Sequence, residues 1–138
     1  VNLRPDWIVC LAGTNDARLH GRSPTKTLVS IEETERNYGM LRHYAATQTA
    51  ARWVWMTPPT VIEQKISSHW FLGQFQLAWR NADLAAVAAA ARRQKGPVVD
   101  LQGVFGRPAE EALLLEDGLH PSLAGQKAIV RALLERLA

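Results

Sequence analysis

The segment Trp7-Ile8-Val9-Cys10-Leu11-Ala12 is apolar without a break and stops at Gly13. A run this short, rich in β-branched and aromatic residues, reads as a strand buried on both faces, as in a parallel sheet covered by helices. Two more runs of this kind follow. Trp53-Val54-Trp55-Met56 ends at Pro58-Pro59, and Pro97-Val98-Val99-Asp100-Leu101 forms a third, because prolines bound a strand where they cannot donate to its ladder.

Helical signals fill the spaces between these runs. Ser30 followed three residues later by Glu33 is a capping box, and Ile31, Tyr38, Leu41 and Ala45 then recur at helical spacing to about Thr49. The polar stretch from Ala17 to Thr27, broken by Gly21 and Pro24, reads as a loop. From Ile62 to Ala91 the chain is rich in alanine and aromatics and then closes at Gly96-Pro97, a composition and stop that predict helix. Gln102 to Glu116 reads as loop with room for a helical turn. Ser122 caps a last helix whose apolar face is Leu123, Ile129 or Val130, Leu133 and Leu137. Strands alternating with helices of this length define a parallel α/β sheet with right-handed crossovers, and 138 residues are enough for one domain.

Three strands are few for such a sheet, since open doubly wound folds usually hold about five. The outer edge of the first strand would expose unpaired backbone beside bulky apolar side chains. The chain also starts at Val1 and enters an apolar segment almost at once. The expectation is therefore the carboxyl-terminal part of a larger domain, with an upstream segment or a second copy covering the first strand.

Composition excludes several classes. There is no uninterrupted apolar run of roughly 18 residues and no signal-peptide pattern, so the chain carries no membrane span of its own. The compartment stays open. Sixteen Lys and Arg against thirteen Asp and Glu leave a formal charge of +3, but the basic residues are scattered, with Arg92, Arg93 and Lys95 the densest group, so no nucleic-acid surface is expected. One cysteine, Cys10, permits no internal disulfide. No Cys/His pairs stand at zinc spacing and no Gly-rich phosphate loop follows a strand, so neither metal nor cofactor is expected.

Two polar blocks at strand ends carry the chemistry. Gly13-Thr14-Asn15-Asp16 follows the first strand, where side chains reach into the crevice beyond the carboxyl ends of a sheet. Alone it fits a Gly-Asn-Asp turn better than a site. Asp117-Gly118-Leu119-His120, continued by Pro121-Ser122, precedes the last helix. An Asp three residues before a His can fold back through Gly118 and hold the imidazole in one tautomer. Alone it also fits a helix-entry loop.

Together, and in this order, the blocks resemble those of the SGNH hydrolases, also called GDSL esterases or lipases. Gly13-Thr14-Asn15-Asp16 is similar to that family's G-x-N-D block, and Asp117-Gly118-Leu119-His120 to its D-x-x-H block. The resemblance implies a flavodoxin-like three-layer α/β/α sandwich with sheet order 2-1-3-4-5. Residues 1–138 would then be the C-terminal part of a single such domain, with its third, fourth and fifth strands and three main helices. It further implies a small-molecule ester substrate and serine hydrolysis, with His120 as base, Asp117 orienting it and Asn15 donating to the oxyanion. Asp16 would hold the turn. The serine-bearing G-D-S block and the glycine-bearing second block of the family are absent, so the chain is expected to be inactive alone. A non-catalytic binding or self-associating α/β module is the alternative.

Other conspicuous residues have structural explanations. Ser30 and Ser122 are expected as helix caps, Ser23, Ser67 and Ser68 lack a strand-turn-helix setting, and Cys10 sits mid-strand as an inert core residue. Trp70, Phe71, Phe75 and Trp79 are expected in the core, since an aromatic stripe at near-helical spacing usually packs inward. His20, His43 and His69 have no carboxylate at diagnostic spacing, and Arg18 either touches substrate or is solvated.

Overall fold

The computed structural model describes residues 4–19, 23 and 25–138. His20, Gly21 and Pro24 lie outside the described residues. Three parallel strands, β1 (Trp7–Leu11), β2 (Arg52–Met56) and β3 (Val98–Val99), form a sheet in the order β1-β2-β3. Trp7 to Leu11 pair with Arg52 to Met56 in unbroken register, and Trp55 and Met56 pair with Val98 and Val99. That order is the one the family resemblance implies for the last three strands.

Side-chain alternation along β2 builds a core on each face. Trp53 and Trp55 point to one side, where α1 (Ile31–Gln48) and α4 (Asn81–Arg93) cover them with Tyr38, Leu84, Val87 and Ala91. Val54 and Met56 point to the other, against α5 (Leu101–Phe105) and α6 (Leu123–Leu137), through Phe105, Ile129 and Leu133. The result is three layers, with β2 buried on both faces. Strand β1 is not. Its Ile8 and Cys10 pack on the α1 side, but Val9 and Leu11 are each 42% exposed on the α6 side. The expectation of a doubly buried first strand is corrected: among the described residues, nothing pairs with its outer edge.

The helix caps follow the sequence. Ser30 Oγ accepts from the Glu33 amide at 3.2 Å, and Ser122 Oγ accepts from the Gly125 amide at 3.2 Å. Leu41 in α1 and Leu123 in α6 are exposed, contrary to the expected apolar faces. In α6 the core-facing choice is Ile129, while Val130 turns outward.

The long helix expected over Ile62 to Ala91 is broken into α2 (Glu63–Ser68), α3 (Trp70–Gln74) and α4. Tertiary contacts outcompete its helical propensity. The Leu19 amide donates to the Ala78 carbonyl at 2.9 Å, and Trp79 Nε1 donates to the Thr14 carbonyl at 2.8 Å, so residues 77–79 are drawn alongside residues 14–19. Trp79 is buried as expected, but Trp70, Phe71 and Phe75 are 74%, 44% and 57% exposed, which corrects their placement in the core. The third strand is also shorter than expected, because the Asp100 carboxylate turns back to accept from the Gln102 amide at 3.2 Å and starts α5. A short 3-10 turn, Glu111–Leu113, follows.

Candidate active site

Both polar blocks lie beyond the carboxyl end of β1, on loops that the surrounding residues fix tightly. Gly13 adopts φ +93°, open to glycine, and a Cβ there would meet Tyr38 Oη at 2.2 Å and Val87 Cγ1 at 2.7 Å. From this turn the Asp16 and Ala17 amides donate back to the Gly13 carbonyl. The Tyr38 hydroxyl donates to the Ala12 carbonyl at 2.9 Å just before it. Asp16 Oδ2 accepts from the Thr34 hydroxyl at 2.9 Å, which ties the turn to α1. Asn15 remains exposed, and its side-chain amide makes no hydrogen bond to the described residues.

The second block is a closed network. Gly118 has φ +72°, and this turn lets Asp117 face His120. Asp117 Oδ1 accepts from the amides of Leu119 and His120 at 2.8 and 3.0 Å, and Oδ2 lies 2.6 Å from His120 Nδ1. Burial alone would raise the Asp117 carboxyl, but the bonds from the imidazole and the two amides outweigh it and hold the group below the usual carboxylate range. The carboxylate side chain is mostly buried while the imidazole is open to solvent. With Nδ1 engaged by the carboxylate, Nε2 is the ring nitrogen left to accept a proton.

The two blocks meet. Asn15 and His120 line one pocket of about 220 Å³ together with Leu11, Thr14, Pro59 and Ile129. Its described lining holds neither serine nor cysteine. Ser67 and Ser68 are exposed on α2, where their hydroxyls donate to the Gln64 carbonyl. Cys10 is half-buried against the core, and burial pushes its thiol up, away from the reactive thiolate. His69 caps α3, its Nδ1 accepting from the Leu72 amide at 3.4 Å, and His43 is exposed on α1. The Arg18 backbone bridges to Trp79, and nothing places its side chain in the pocket. Tyr38 and Trp79, which hold the carbonyls of Ala12 and Thr14, are the residues sequence reasoning missed as supports of the Asn15 turn. Their only sequence signal was an apolar position with a polar tip.

The chain is thus an α/β protein with a parallel sheet between helix layers and an Asp-His pair and an asparagine at one pocket beyond the strand ends. Comparison with known proteins agrees. Residues 1–128 match the GDSL-like Lipase/Acylhydrolase family, and the chain belongs to it. Among solved structures it is similar to LAE5, an alpha/beta hydrolase enzyme from the metagenome of Lake Arreo, Spain, at 26% identity and a TM-score of 0.62, over 96% of this chain and 60% of that one. The chain thus spans about 60% of the length of that enzyme. No curated protein matches it.

Proposed function

We propose that these residues form the histidine, aspartate and oxyanion part of a serine ester hydrolase, within the carboxyl-terminal portion of a single domain. The observation that supports it most is the meeting of Asn15 and the Asp117-bound His120 in one pocket. In this reading a serine hydroxyl attacks the ester carbonyl while His120 Nε2 takes its proton. Asp117 keeps the imidazole in the required tautomer and stabilises its charged form. The Asn15 amide donates to the oxyanion of the tetrahedral intermediate. His120 then returns the proton to the leaving alcohol, and water hydrolyses the acyl-serine by the same steps.

The same reading takes the serine from a segment outside residues 1–138. A segment running along the free edge of β1 would bring it to the mouth of the pocket, because Leu11 lines that pocket at the end of β1. The exposed Val9 and Leu11 and the 60% span of LAE5 support such a segment. A second reading, a non-catalytic module of the same fold, draws on the lack of serine and cysteine in the described pocket lining.

Fluorophosphonate labelling followed by intact-mass and peptide analysis of the full-length protein separates the two. The hydrolase reading expects one adduct, on a serine beyond residues 1–138, that is lost in His120→Ala. An absent adduct, or one that persists unchanged in His120→Ala, would favour the non-catalytic module.

A further inference from the structure

A second pocket, about 280 Å³ in volume, opens beyond the carboxyl ends of β2 and β3, on the side of the sheet away from the free edge of β1. Thr60, Asn81, Ala85, Gln102, Arg107 and Ala109 line it, and none of these lines the His120 pocket. Positions beyond the strand ends of an open α/β sheet are where ligands bind. The volume falls just under the roughly 300–1,000 Å³ of pockets for drug-sized ligands, which suits a smaller molecule.

Gln102 is 1% exposed, an unusual place for a side-chain amide, since burying one without partners is costly. Its carbonyl oxygen Oε1 accepts from the Arg107 guanidinium, and Nε2 has no partner among the described residues. The buried amide thus holds one end of the guanidinium at the pocket, while the Arg107 side chain is otherwise exposed. Among the described residues no carboxylate pairs with Arg107, a state it shares with most of the described arginines; what sets it apart is its bond to a buried amide at a pocket. A guanidinium has five N–H donors in a planar fork that matches a carboxylate, and Gln102 engages only part of that fork. Ala85 and Ala109 supply small apolar walls.

We propose that this pocket binds a small aliphatic carboxylate, with Arg107 gripping the carboxylate and Ala85 and Ala109 flanking the hydrocarbon end. The site is independent of the hydrolase reading. The same carboxylate chemistry is found in a free short-chain acid and at the acidic end of a larger molecule.

The test titrates butyrate into the full-length protein and follows the methyl resonances of Ala85 and Ala109, with butanol and inorganic phosphate as comparison probes. The expected result is a saturable shift of both methyls by butyrate and much weaker effects of butanol and phosphate. Arg107→Gln is expected to weaken butyrate by about tenfold or more. Ala85→Leu, which fills the pocket with a good helix former, is expected to abolish binding while the thermal melt is kept. No saturable shift, equal binding of butanol or phosphate, or an Arg107→Gln protein that binds like the parent would each overturn the proposal. If a dicarboxylate monoester binds more tightly than butyrate through Arg107, the carboxylate belongs to a larger molecule; equal or weaker binding assigns the free acid.

Discussion

The Tyr38 hydroxyl donates to the Ala12 carbonyl at 2.9 Å, so one side chain of α1 anchors the residue between the end of β1 and the Asn15 turn. Tyr38 is buried, its ring packs tilted by 46° against Trp55 with centroids 5.0 Å apart, and burial together with the nearby Asp16 pushes its phenol well above the ordinary range. It therefore stays a neutral donor.

Tyr38→Phe removes that donor and keeps the ring. The Ala12 carbonyl loses its partner, and stability is expected to fall by about 1–2 kcal/mol. Urea denaturation measures it, with an unchanged slope expected because the fold is kept. A change within error would mean that the bond contributes nothing net.

Gly118→Ala is expected to do more damage. The backbone there is at φ +72°, and a Cβ would lie 2.8 Å from the Ile62 carbonyl oxygen and 2.7 Å from Lys65 Cβ. Positive φ alone costs a non-glycine residue about 1–2 kcal/mol, and the backbone contact adds to it. The Ile62 amide donates to the Gly118 carbonyl at 2.9 Å, so the distortion would reach the loop after β2 as well. A melting temperature equal to that of the parent would refute this account of the turn.

For the full-length protein, Asn15→Ala is expected to lower kcat for an activated ester by about 10²–10³-fold, the usual loss of one oxyanion donor. KM should change little, because the amide acts chiefly on the charge that develops in the transition state. His120→Ala is expected to abolish turnover. A kcat unchanged in Asn15→Ala would remove that residue from the site.

Acid should loosen the second block. The Asp117 carboxyl is held below its unfolded value, near 3.9 for an ordinary Asp. A depressed folded-state pKa contributes stability that is fully present above the unfolded value and is lost as pH falls through the folded one. Asp117→Asn should therefore be less stable than the parent at pH 7, with the gap narrowing below about pH 4 as the parent carboxylate protonates. Paired denaturation curves across pH 2–7 check the sign, and a gap independent of pH would contradict it.

Local chemistry was enough to determine much of this protein. The apolar runs at β1 and β2, the Ser30 and Ser122 caps and the G-x-N-D and D-x-x-H blocks are each short-range patterns, so strand, helix entry and candidate site were legible along the chain. The return of Asp117 to His120 needs only three residues and one glycine, and it formed as the spacing implied.

What sequence could not decide was set by contacts between distant segments. Residues 77–79 leave the helical path between α3 and α4, where the Leu19 amide and the Thr14 carbonyl claim hydrogen-bonding groups of Ala78 and Trp79, and Trp70, Phe71 and Phe75, in α3 and at its end, stand exposed. Burial of β1 on its α6 face depends on what lies beside it, which a strand's own composition does not encode, and so Val9 and Leu11 stand exposed. The pairing of Gln102 with Arg107 has no periodicity to announce it. Only the packing of α5 against the sheet buries that amide and makes it the support of an arginine.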